Sequence, residues 1–121
     1  KTLSEVKSHR ENGFYNTAVN RMYYACYYAA RAILTAYHIE AKTHEGVRQQ
    51  LGLNFVLTGM LTQEQGRFYS RLYAKRTTGD YDDFIRHTLE TVDELYPQAQ
   101  SFVNAIADLL TVWFNGQNNT N

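Results

Sequence analysis

The chain has 121 residues, 44% of them hydrophobic, and twelve Lys and Arg balance twelve Asp and Glu. That length suits one domain with one core, and the composition excludes a disordered tail. Zero net charge excludes the bulk positive field of an obligate nucleic-acid binder, so any nucleic-acid contact must use a local patch.

Five helical segments are predicted. The first, about Thr2 to Glu11, opens with a T-x-x-E capping pattern (Thr2, Glu5), and Asn12-Gly13 ends it. The second runs from about Phe14 to Tyr37. Phe14, Ala18, Met22, Ala25, Ala29, Ala32, Ile33 and Ala36 recur there at helical spacing and predict its buried face. A neighbouring stripe of Arg21, Tyr24, Tyr28 and Arg31 shares one edge of the same helix. Two guanidiniums interleaved with two phenols form a polar-aromatic seam. It reads either as a helix or subunit contact, or as a groove for a phosphate or an unstacked base.

The third helix covers about His44 to Thr58, with Val47, Leu51 and Phe55 on one line and Gly59 closing it. The fourth starts at Thr62, where T-x-x-Q (Thr62, Gln65) is a cap signal. Phe68, Leu72 and Arg76 follow at i+4 spacing, so Arg76 is expected to point where the apolar residues point. Gly79 is the natural stop. The last helix spans about Leu89 to Phe114, and its apolar phase continues unbroken across Pro97, which predicts a kink rather than two helices. Residues 1–114 are thus read as one helical domain and residues 115–121, rich in Asn, as a fraying tail. The architecture implied is an all-α, antiparallel bundle of four to five helices.

The chemistry motifs narrow the function little. The seven glycines form no phosphate loop or dinucleotide fingerprint. No glutamate has a histidine three residues on, which excludes the di-iron bundle pattern. One cysteine, Cys26, excludes an internal disulfide and falls mid-helix among tyrosines, where a thiol is a small buried hydrophobe. No metal site and no cofactor are expected. No apolar run approaches the ~20 residues of a membrane span, and no charged-then-apolar leader stands at Lys1, so a cytoplasmic protein is expected. The segment RTTGDY, Arg76 to Tyr81, keeps two readings open. Either Arg76 bonds the end of its helix or pairs with Asp80, or Arg76 binds phosphate while Asp80 and Tyr81 position it.

Three stretches together resemble the HEPN domain family, in its small prokaryotic branch. They are NRMYYACYYAARAIL (Asn20 to Leu34), KTHEGV (Lys42 to Val47) and RLYAKRTTGDY (Arg71 to Tyr81), with FVNAIADLL (Phe102 to Leu110) following. The resemblance implies a helical bundle that is commonly a homodimer and commonly pairs with a minimal nucleotidyltransferase in a toxin–antitoxin system. Many members are metal-independent ribonucleases built on an arginine and a histidine that follows it after a short gap. Arg76 matches the arginine, but Tyr81, Asp82 and Asp83 stand where the histidine would fall. The expectation is therefore a binding module for nucleotide or RNA, with Arg21, Tyr24, Tyr28, Arg31, Arg76, Asp80 and Tyr81 as its ligand residues. The first alternative is a ribonuclease using Arg76 with Asp80, Tyr81 or His44 as proton carrier, and the second is a structural dimer.

Overall fold

Threonine hydroxyls set three of the four helix starts that can be described. The computed structural model describes Leu3, residues 14–76 and residues 87–119. Helix α1 is Tyr15–Ala36 and α2 is His44–Leu51, which passes directly into a π-helical turn over Gly52–Val56. Helix α3 is Gln63–Lys75 and α4 is Leu89–Asn119. Thr43, Thr62 and Thr88 each accept a hydrogen bond from the backbone N–H three residues on, satisfying a donor the helix itself leaves open. At Thr62 the predicted capping box is complete, because the Gln65 side chain accepts from the Thr62 N–H.

The chain is all-α, as its periodicity indicates, and no strand occurs among the described residues. The first predicted helix lies outside the described residues apart from Leu3, which is helical and packs against the core. Helix α1 is central, and its most extensive contact is with α4. The pairings Asn16–His87, Cys26–Ala99 and Tyr37–Trp113 show that these two helices run in the same sense. Helix α3 runs against both, since Arg71 meets Glu94 while Phe68 meets Phe102.

The buried face of α1 is rotated from the one its alanines suggest. Phe14 and Ala32 are exposed, whereas Val19, Tyr23, Cys26, Tyr27, Ala30 and Leu34 are buried. The reason is that α2, α3 and α4 all press on this helix, and tyrosine buries an apolar ring as readily as leucine does when its hydroxyl finds a partner. Helix α4 continues through Pro97 without a break and extends to Asn119, beyond the last apolar signal at Phe114. Cys26 sits fully buried against the Ala99 carbonyl, and burial pushes its thiol well above the usual range, so it is an unreactive core side chain.

The link from α1 to α2 decides where His44 arrives. Helix α1 ends in a Schellman turn, in which the His38 N–H donates to the Thr35 carbonyl and the Ile39 N–H to the Leu34 carbonyl. His38 occupies the left-handed position at φ 59°, a place glycine fills without steric cost. Replacing His38 with Gly is expected to raise stability by about 0.5–1 kcal/mol, as measured by urea unfolding.

Candidate functional site

Two pairs of tyrosines spaced one helical turn apart build the centre of the molecule. Helix α1 supplies Tyr23 and Tyr27, whose rings stack at 5.8 Å. Helix α3 supplies Tyr69 and Tyr73, at 6.0 and 6.1 Å from the Tyr23 ring. Tyr23 and Tyr69 are almost fully buried. Because both pairs obey i,i+4 spacing, each presents one face, and the two faces meet.

His44, the first residue of α2, closes over this layer. Its ring lies parallel to Tyr27, with centroids 4.1 Å apart and an interplanar angle of 4°. Its Nδ1 is 2.6 Å from the Tyr23 hydroxyl. That bond fixes the ring and leaves Nε2 to meet other groups. Burial pushes the Tyr23 phenol up to about 12, so it stays protonated. Tyr69 is also pushed up by burial; its hydroxyl sits close enough to Tyr23 to influence it, yet outside hydrogen-bond geometry.

Arg76 ends α3 and is half-buried. Its Nη1 donates to the Tyr73 carbonyl at 2.7 Å. The guanidinium carbon lies 4.0 Å from the Tyr73 ring centre and 5.6 Å from that of Tyr23. Arg76 therefore points inward, where its spacing from Phe68 and Leu72 directs it. The Tyr73 ring also carries Arg48, at 5.3 Å, and Arg48 is held by Glu45. On the far side of His44, Arg31 donates from Nη1 to the Tyr27 hydroxyl at 3.3 Å. Beside Arg31 a cleft of about 560 Å³ extends along His38, Glu40 and Lys42. The result is a layer of tyrosine rings on which His44 stacks and against which the Arg76 and Arg31 guanidiniums rest, with the cleft opening beside Arg31.

These charges tune the histidine. His44 is held below its ordinary value of 6.5, first by partial burial and then by the positive charges of Arg76 and Arg31. The unfolded chain takes up this proton near the ordinary value and the folded chain resists it. Stability is therefore fully present above about pH 6.5 and declines as pH falls through that value toward the lower folded value. In urea unfolding from about pH 8 to about pH 5, a His44→Gln variant should lose less stability on acidification than the parent chain.

The residues picked out from the sequence are placed unequally. Arg76, His44, Tyr24 and Arg31 gather around the tyrosine layer, with the Tyr24 ring 5.9 Å from His44, and of these four Arg31 lines the cleft. Arg21 is exposed, and Tyr28, 59% exposed, turns its ring toward Tyr24 and Tyr27 from the solvent side. Asp80 and Tyr81 lie outside the described residues. Tyr23, Tyr27, Tyr73 and Arg48 join the site without having been singled out; the spacing of the two tyrosine pairs was their only sequence signal. His87 is half-buried. Its N–H donates to the Asn16 side chain and its Nε2 lies 3.1 Å from the Lys75 carbonyl, tying the start of α4 to α1 and α3. Among the described residues, no three His, Cys, Asp or Glu side chains gather in a metal-binding group. None of the described helices is long and apolar enough to cross a membrane.

An arginine, a histidine and a layer of tyrosines thus meet between three helices of an all-helical bundle. The HEPN domain family model matches residues 1–109, and the chain belongs to that family. It is 35% identical over 108 residues to a UPF0332 protein of Thermotoga maritima, covering 89% of this chain and 82% of that protein. It is 34% identical to a Methanocaldococcus jannaschii protein named "Putative toxin MJ0605", covering 89% of this chain and 80% of that one. A second protein of that organism under the same designation, MJ0142, is 31% identical, with coverages of 86% and 71%.

Proposed function

We propose that this chain is the toxin-like member of a two-component pair, that it acts in the cytoplasm as a homodimer, and that its partner is a minimal nucleotidyltransferase. The face that carries Arg76, His44 and Arg31 binds RNA or a nucleotide through phosphate. The observation that carries the reading is the convergence of Arg76 and His44 on the ring of Tyr23. Arginine grips phosphate through paired N–H groups, and the exposed Tyr28 with the half-buried Tyr24 offers a stacking surface for an unpaired base. With the Tyr23 hydroxyl donating to Nδ1, His44 keeps its proton on Nε2 and donates to a phosphate oxygen. The toxin names of two relatives support the biological role.

The position of His44 favours a second reading, cleavage of RNA. Here the Nδ1–H donates to the Tyr23 oxygen, and Nε2 takes the proton of a ribose 2′-hydroxyl. The 2′ oxygen bonds to the adjacent phosphorus, the bond to the 5′ oxygen breaks, and that oxygen takes up a proton. The products are a 2′,3′-cyclic phosphate and a 5′-hydroxyl, and Arg76 stabilises the charge that builds on the phosphorane.

The test is a gel assay on end-labelled single-stranded and structured RNA, with light scattering for the dimer. Binding without cleavage supports the first reading. Cleavage that ends in a cyclic phosphate and is lost in His44→Ala supports the second. A chain that neither binds nor cuts RNA, and binds no nucleotide, overturns both.

A further inference from the structure

A second surface feature owes nothing to the Arg76–His44 chemistry. Between α2 and α3 lies a groove of about 850 Å³. Its floor is apolar and includes Val56 and Leu51. Gly66 lets the two helices approach closely there, since a Cβ at that position would fall 2.9 Å from a Val56 methyl. The π-helical turn brings Leu53 and Leu57 to the groove's lip, 57% and 76% exposed. The lining holds three arginines, Arg48, Arg67 and Arg71, and no carboxylate, while just outside it Glu45 pairs with Arg48 and Glu94 with Arg71.

Leu53 and Leu57 are one turn apart, so they present a stripe that matches the i,i+4 stripe of another helix. Arg67, together with Arg71 once a partner carboxylate displaces the solvent-exposed Glu94, selects the charge of whatever borders that stripe. Nucleic acid presents phosphates without an apolar stripe and suits the leucines poorly. We propose that the α2–α3 groove docks an amphipathic helix of a partner protein. The partner's apolar stripe packs on Leu53, Leu57 and Val56, and its flanking carboxylates meet Arg67 and Arg71. Arg48 links the groove to Arg76, because the two guanidiniums share the Tyr73 ring.

The experiment uses two labelled synthetic helical peptides with the same leucine stripe, one flanked by Glu and one by Lys, titrated with the full chain by fluorescence anisotropy. The Glu peptide should bind at least about tenfold more tightly than the Lys peptide. Leu57→Glu should weaken the Glu peptide about tenfold or more, and Arg67→Glu combined with Arg71→Glu should reverse the preference. Circular dichroism checks that each variant is folded, and RNA binding of the parent chain is followed separately. Equal binding of both peptides, binding of neither, or binding unaffected by Leu57→Glu overturns the proposal. A change of oligomeric state in Leu57→Glu overturns it by assigning the groove to a second copy. Loss of RNA binding in Arg67→Glu overturns it by assigning the groove to RNA.

Discussion

Arg76→Ala should lower RNA affinity about 10- to 100-fold and leave the fold nearly as stable as before. A charge-assisted hydrogen bond to phosphate contributes about 1.5–3 kcal/mol, and each 1.4 kcal/mol is about a factor of ten in affinity. The stability side is smaller. Among the described residues the Arg76 guanidinium makes one hydrogen bond, to the Tyr73 carbonyl, and rests over two tyrosine rings while remaining half-exposed. Ring contacts at such sites stabilise by about 0.5–1 kcal/mol each, so the melting temperature should drop by only a few degrees. Arg76→Lys keeps the charge but loses the planar fork, and it should recover only part of the affinity. Anisotropy with labelled RNA at two salt concentrations reads both effects. Loss of one phosphate contact also flattens the salt dependence by about one unit of slope. A variant that binds RNA like the parent yet melts far lower would make Arg76 an architectural residue.

The largest stability effect is expected at Phe102. Phe102→Ala should cost about 3–5 kcal/mol. The ring is fully buried in α4, stacks on Tyr69 with centroids 5.4 Å apart, and lies 6.3 Å from Phe68. Two of its neighbours, Phe68 and Tyr69, are rings that cannot collapse into the space the lost ring leaves. Domains of this size are stable by about 5–15 kcal/mol, so the loss is a large part of the total. Urea unfolding should show a lower midpoint with an unchanged slope. Leu109→Ala, at a half-buried position two turns further along the same face, should cost clearly less. If the two variants were equally destabilised, the aromatic layer between α3 and α4 would not be the centre of the core. Phe102 also bears on function, because it backs Tyr69, which backs Tyr23, which holds His44.

Local rules made the helices legible. The Thr62–Gln65 box, the stop at Gly59 and the apolar phase through Pro97 each depend on residues within a few positions of one another. The inward aim of Arg76 was legible for the same reason, since it follows from i+4 spacing behind Phe68 and Leu72. The choice between tyrosine pairs was not. Tyr23/Tyr27 and Tyr24/Tyr28 have identical spacing and lie about 100° apart around the helix. Only the packing of α2, α3 and α4 decides which pair is buried. The arrival of His44 depends on a link that turns back through a left-handed histidine, where the sequence offers no glycine to mark the turn. The π-helical turn that exposes Leu53 and Leu57 left no trace in the apolar pattern, which Val47, Leu51 and Phe55 carry straight through it. The helical residues beyond Phe114 carry no apolar signal at all.

The central claim is that Arg76 and His44 share one electrostatic environment over Tyr23. Titration of the His44 imidazole by NMR, in the parent chain and in Arg76→Ala, tests it most directly. The account predicts a titration midpoint below the ordinary histidine range in the parent and a clear rise toward that range when the guanidinium is removed. Superimposable titration curves in the two proteins would place the arginine and the imidazole in separate environments and contradict the account.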